Sequence, residues 1–253
     1  MLTQADIEWV FLDSVDSTNA YLIGHSELHS QAGVVAVVAH QQTHGRGRAG
    51  RSWVAKPGGS LCLSIGLPVA SAVLPSLPLC VGVGVAQCLQ SWGVGVQLKW
   101  PNDLLINGEK LGGILCEGIQ GQGGALTVVG IGLNIQPLIL PERGQGLNPT
   151  SLMEHWALPA PVPTPQALAH RLVPCVVSAV ELALEAGFSP IAQLFAQRDA
   201  LFGQAVCVKD GADVVMRGQA LGLAADGAYL VRTETGVMPV HVGDLSLRSD
   251  AHA

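Results

Sequence analysis

The sequence predicts an α/β domain over residues 1–201 followed by a small β unit over 202–253. Three observations predict it. The run "GVVAVVAH" (33–40) is nearly all apolar and β-branched, the pattern of a strand buried on both faces. Long apolar-periodic stretches, "PQALAHRLVPCVVSAVELALEAG" and "SPIAQLFAQRDAL", read as helices later in the chain. From about Phe202 the texture changes to short segments punctuated by Gly and Asp-Gly. A strand about every ten residues is the pattern of a small antiparallel barrel.

The elements follow in order. "WVFLD" (9–13) reads as a strand, and "DSTNAYLIGHS" opens a helix with Asp16 or Ser17 as its N-cap. After the strand 33–40 comes a flexible Arg/Gly loop, "HGRGRAGRSW" (44–53), and "SLCLSIGL" returns as a buried strand. Residues 57–98 contain no charged residue, which raises the question of a membrane span. Pro68, Pro75 and Pro78 interrupt the stretch, and Gln, Ser and several Gly dilute its end. A spanning helix needs about 20 predominantly apolar residues, so a buried strand and a buried helix are expected instead. "VQLKWPNDLLI" and "EKLGGILCEGI" are joined at Asn107-Gly108, a strong two-residue hairpin signal. "ALTVVGIGLNI" reads as an interior strand, residues 137–165 as a long irregular stretch, and Pro174 should kink the helix that follows.

Composition narrows the function. Of 253 residues, 49% are hydrophobic and only 13% charged, against roughly 25% charged in an average globular protein, so a sizeable core is expected and disorder is not. The net charge of -6 weighs against broad affinity for nucleic acid or membrane surfaces. The N-terminus lacks the basic-then-apolar layout of a secretory signal, and the six cysteines form no C-x-x-C pair. They read as reduced core residues of a cytoplasmic protein. No H-E-x-x-H or Cys/His cluster marks a dedicated metal site.

Against that background, three arginines in one loop stand out in a chain with only 13 Lys+Arg. Glycine lets backbone N–H groups approach a ligand, and arginine offers rigid forks of donors to carboxylates and phosphates. Such a loop can close over an anion; it can equally be a solvated basic turn. Other clusters are as ambiguous alone. "DSTN" (16–19) is either a helix cap or a set of polar groups at a helix N-terminus aimed at a ligand. "KWPND" (99–103) is either a charged turn or a charged site. Lys110 enters an apolar strand, which is costly without an anionic partner, unless the side chain snorkels out. The glycines of "GIGLN" (130–134) mark close backbone approach, without a dinucleotide fingerprint.

Taken in order, "STN … QTHGRGRAGRSW … KWPNDL … KLGGIL … GIGLN" resembles the biotin–protein ligases, also called biotin–acetyl-CoA-carboxylase ligases. The likeness runs from about residue 13 to the closing "GDLSLR". Lipoate ligases share the fold but not these strings. The resemblance implies a seven-stranded mixed sheet with helices, making an α/β (α+β) catalytic domain over 1–201, and an SH3-like C-terminal domain over 202–253. It implies that ATP, with Mg²⁺, adenylates biotin, which then passes to a lysine of a biotin carboxyl carrier domain. Biotin contacts would fall on Ser17, Thr18, Asn19, Gln42, Gly45, Arg46, Gly47, Arg48, Lys110 and Gly113. ATP contacts would fall on Arg48, Arg51, Trp53, Lys99, Asn102 and Asn134, with Arg48, Lys99 and Lys110 as the catalytic cations.

Asp103 or Asn102 would touch Mg²⁺, and Asp103 is also the candidate for the base that deprotonates the acceptor lysine. The sequence departs from the family at His44, where a small residue is common, and in "IQP" after Asn134, where a second Asn often stands. Residues 137–165, which in the family help cover adenine, do not align. The pattern begins almost at Met1, so no N-terminal DNA-binding domain of the repressor type is expected. Neither DNA nor a membrane is an expected partner, and a homodimer stays open. Lipoate or octanoate attachment, a nucleic-acid-binding module and a non-catalytic biotin sensor are the rival readings.

Overall fold

A computed structural model describes residues 7–25, 33–69, 76–121, 124–138, 147–210, 213–241 and 245–249. Pro75, residues 139–146 of the irregular stretch and the "GD" of "GDLSLR" lie outside them. The chain folds as a mixed α+β structure around two sheets. The first has seven strands in the order β1 (Ile7–Val15), β2 (Val34–Gln42), β3 (Ser60–Leu67), β7 (Gly124–Asn134), β6 (Glu109–Gly121), β5 (Asp103–Ile106), β4 (Gln97–Lys99). Only β1 and β2 run parallel; the other pairs are antiparallel.

Local chemistry explains the order. Asn107 and Gly108 adopt φ values of 51° and 81°, the left-handed pair that a tight β5–β6 hairpin requires. Every residue of β3 is buried, as its apolar sequence demands for a central strand. Helix α1 (Thr18–Gly24) starts at Ser17, whose hydroxyl accepts from the Ala20 N–H, so Ser17 and not Asp16 is the cap.

Helices α2 (Leu77–Gln90) and α3 (Pro165–Ala186) pack on each other, α3 also on β2 and β3 and α2 on β4, β5 and β6. Gly84 permits their approach: a Cβ there would stand 2.8 Å from the Cys175 carbonyl oxygen. By length and composition α3 could cross a membrane. Its apolar residues Leu168, Leu172, Val173, Val176, Val177 and Val180 are instead buried in the common core. Pro174 lies inside this helix, which continues through it over its 22 residues. Burial of that apolar face compensates the one backbone hydrogen bond that proline removes.

Helix α4 (Ser189–Ala196) leads into the second sheet, antiparallel and five-stranded, in the order β11 (Gly236–Val240), β10 (Tyr229–Thr233), β9 (Asp213–Leu223), β8 (Ala205–Asp210), β12 (Leu245–Ser249). Its inner residues Val206, Val208, Tyr229, Val231 and Val240 join the same core as the first sheet. Trp100, fully buried, donates its Nε1–H to the Gly227 carbonyl at 3.3 Å and packs on the Tyr229 ring. The strand next to the "KWPND" turn is therefore braced by the second sheet.

Candidate functional site

A cleft opens where the ends of β3, β6 and β7 meet the start of α1 and the Arg/Gly loop. The polar floor comes from Ser17, Thr18 and Asn19, all buried, and Gln42. Gln42 Oε1 accepts from the Thr18 N–H at 2.8 Å and its hydroxyl at 3.0 Å. Ser64, buried on β3, lies 2.7 Å from Thr18 Oγ1 and 2.5 Å from Asn19 Oδ1. Two glycines of "GIGLN" make room for this wall. A Cβ on Gly130 would lie 2.5 Å from Asn19 Oδ1, and one on Gly132 would lie 2.5 Å from the Trp53 ring.

The Arg/Gly loop is more ordered than its composition predicts. It folds back as a small hairpin, with Arg46 bridged to Ser52 and the Trp53 N–H donating to the Gly45 carbonyl at 2.9 Å. Gly45 serves close approach and not only freedom, since a Cβ there would meet the Trp53 carbonyl oxygen at 2.4 Å. Ala49 and Gly50, both at positive φ, make the turn at its tip. The turn aims Arg46, Arg48 and Arg51 at the cleft, and Arg48 Nη1 donates to Asn102 Oδ1 at 3.3 Å.

The opposite wall carries Asn102, Asp103, Lys110 and Gly113. Lys110 Nζ donates to Asp103 Oδ1 at 2.5 Å, and Lys99 Nζ stands 3.6 Å from Oδ2. Burial pushes the Asp103 carboxyl up, but the ammonium groups of Lys110 and Lys99 outweigh it and hold the carboxyl below its usual range. Lys110 thus has the anionic partner that a lysine in an apolar strand needs. The cleft is lined by four cations, Arg46, Arg48, Arg51 and Lys110, against one carboxylate, Asp103. In a chain of net charge -6 this is a local anion site.

Most of the residues singled out from sequence therefore meet in one place. Three do not line the cleft. Gly45 is the buried foot of the loop, and Lys99 stands behind Asp103. Asn134 lies behind Lys110, donating to the Lys110 and Thr150 carbonyls at 3.4 and 3.0 Å. The polar atoms Trp53 Nε1 and Asn134 Oδ1 are buried without a hydrogen-bond partner, which is rare in a finished fold and points to a ligand. Sequence reasoning missed Ser64 and Glu117. Glu117 accepts from Arg46 and from Asn19, each at 2.7 Å. The signal for Ser64 was a hydroxyl in the middle of an all-buried strand; for Glu117 it was a charge in step with Gly113 and Leu115.

Residues 11–134 match the biotin/lipoate A/B protein ligase family, and residues 201–248 match the biotin protein ligase C-terminal domain. The bifunctional ligase/repressor BirA of Salmonella typhimurium is 33% identical over 244 residues, which cover 94% of this chain and 73% of that protein. The chain belongs to the biotin protein ligase family. A biotin–[acetyl-CoA-carboxylase] ligase of Paracoccus denitrificans is 29% identical, with 89% of this chain and 94% of that ligase covered. The solved biotin protein ligase of Aquifex aeolicus, in complex with biotin and ATP, superposes with a TM-score of 0.78 at 27% identity. It covers 96% of this chain and 99% of its own. The ligase resemblance read from the motifs, the α+β class and the enzymatic nature of the chain all stand.

Proposed function

We propose that this ligase activates biotin with ATP to biotinyl-5′-AMP and transfers the biotinyl group to a lysine of a biotin carboxyl carrier domain, as in acetyl-CoA carboxylase. One observation carries the reading: a polar floor and four cations face each other across a single cleft. The first step joins two anions. A biotin carboxylate oxygen attacks the α-phosphorus of ATP, the bond to the β-phosphate oxygen breaks, and pyrophosphate leaves. These anions repel unless screened, so positioning and charge stabilisation are what the protein must supply.

Ser17, Thr18, Asn19 and Gln42 hold biotin's polar ring on the floor, with Gly47 and Gly113 allowing close approach, Gly45 setting the foot of the loop, and Arg46 closing over the ring. Lys110 and Arg48 neutralise the carboxylate and the α-phosphate. Arg51, Trp53 and Asn102 serve the nucleotide from the cleft wall, the orphaned Trp53 Nε1 gaining a partner when it binds, and Asn134 serves it from behind Lys110 by holding that strand. Lys99, its charge held by Asp103, serves the phosphates or the incoming lysine. In the second step the acceptor amine attacks the carbonyl of the mixed anhydride, AMP leaves, and the amine loses a proton. Asp103 is the one carboxylate lining the cleft, and we assign that proton to it once substrate has drawn Lys110 away. The closed loop keeps water from the anhydride meanwhile.

Among the described residues no three His, Cys, Asp or Glu side chains gather as a metal site. Both Asp103 oxygens are engaged by lysines. The chain's donors do not fit a resident ion, so Mg²⁺ belongs to the phosphates of ATP. We place the enzyme in the cytoplasm, where its six free cysteines stay reduced, with no DNA or membrane partner. The test is pyrophosphate release from ATP. It should require biotin; turnover with lipoate or octanoate in its place would move the chain to the lipoate branch.

A further inference from the structure

One residue outside the cleft joins two of its walls. Glu117 lies on β6, in step with Gly113 and Leu115, so strand periodicity puts all three on one face. Gly113 and Leu115 line the cleft; Glu117 does not. Its Oε1 accepts from Arg46 Nη2 at 2.7 Å, and its Oε2 accepts from Asn19 Nδ2 at 2.7 Å. Asn19 Oδ1 meets Ser64 Oγ, which meets Thr18 Oγ1, and Thr18 donates to Gln42. A single hydrogen-bond chain therefore runs from the Arg/Gly loop to the polar floor. Glu117 is the charged link in it.

The Asn19 end of this chain is fixed, because Asn19 is buried, its amide also donates to the Leu115 carbonyl at 3.3 Å, and α1 is anchored by its cap. The Arg46 end is on the loop, and its side chain is 51% exposed. An ion pair so open to water adds little to global stability. What it can set is where the loop rests relative to the floor. We infer that Glu117 is a positioning residue that latches the Arg/Gly loop over the cleft, so that retention of the activated acid depends on it. The inference rests on the ligase reading above.

Glu117→Gln tests it, since the amide keeps an acceptor but loses the charge that makes the Arg46 bond strong. With the full chain, ATP, Mg²⁺ and biotin, we expect the biotin KM to rise about tenfold while kcat at saturating biotin changes by less than about twofold. Serum albumin added as a bystander should become biotinylated by the variant and not by the parent. Trypsin should cut after Arg46, Arg48 or Arg51 faster in the variant without any substrate, and the melting temperature should hold. Adding Arg46→Met to Glu117→Gln should not further speed trypsin cleavage after Arg48 or Arg51, as expected for two residues acting through one contact.

Parent-like KM, bystander labelling and trypsin sensitivity in both Glu117→Gln and Glu117→Ala would overturn the latch. A lower melting temperature with a smaller active fraction and unchanged KM would also overturn it, leaving a purely structural residue. If the parent itself forms no biotinyl-adenylate, the ligase reading fails and takes the latch with it.

Discussion

Lys110 Nζ lies 2.5 Å from Asp103 Oδ1, while Lys99 Nζ lies 3.6 Å from the other oxygen of the same carboxylate. Asp103 thus holds both lysines of the site on an internal anion. A substrate carboxylate or phosphate must compete with it, and until the substrate arrives the Asp103 carboxylate compensates the partly buried Lys110 charge.

Lys110→Ala should leave the fold intact and weaken biotin binding and adenylation together. Losing a charge-assisted contact costs about 1.5–3 kcal/mol, about one to two decades. Calorimetric titration with biotin and pyrophosphate release measure the two effects. Parent values in both would reduce Lys110 to a partner of Asp103 alone.

The same pair makes a pH prediction. The Asp103 carboxyl is held below its ordinary value of 3.8, so its contribution to stability is present above that pH and is lost as pH falls through the lowered value. Asp103→Asn mimics the protonated state. Urea midpoints of parent and variant should therefore differ most near neutral pH and converge in acid below 3.8. A gap that does not change with pH would contradict the ion-pair assignment.

Arg48→Gly should damage retention more than chemistry. It removes a donor fork and adds a flexible residue to a turn that already holds Ala49 and Gly50 at positive φ. Biotinyl-adenylate would then escape and acylate exposed lysines of an added serum albumin. A variant that forms no adenylate would instead place Arg48 in the first step.

A chain cut after Leu201 should be poorly active. The cut removes Gly227 and Tyr229, which cover Trp100 between Lys99 and Asn102. It also strips the Tyr229 hydroxyl from Asp199, whose carboxyl is pushed up by burial although that 2.7 Å bond and neighbouring N–H groups pull it down. Pyrophosphate release by the truncated chain measures the loss. Full activity there would free the site from the second sheet.

Much of this was legible in the residues. Asn107-Gly108 announced its hairpin, the run 33–40 its buried strand, and the glycines 130 and 132 a close approach, whose partners, Asn19 and Trp53, only the structure identifies. Each signal is local, because backbone shape or burial is written in a few adjacent residues. What was not legible depends on pairing between distant strands. Glu117 is 98 residues from Asn19 and 71 from Arg46, and the β2–β3, β3–β7 and β6–β7 registers together bring them to one corner. The order within the Arg/Gly loop was hidden for a different reason. Glycine content signals freedom, whereas Gly45 is there because the Trp53 carbonyl occupies the space of a Cβ.

The central claim is transfer of biotin to a carrier lysine, and the mass of the carrier tests it most directly. The full chain is incubated with ATP, Mg²⁺, biotin and a biotin carboxyl carrier domain, and the carrier is weighed intact. The account predicts one added biotinyl group, absent when ATP is withheld or when the acceptor lysine is changed to Arg. An unmodified carrier beside an active control ligase, or a carrier that gains lipoyl or octanoyl but never biotinyl, would contradict it.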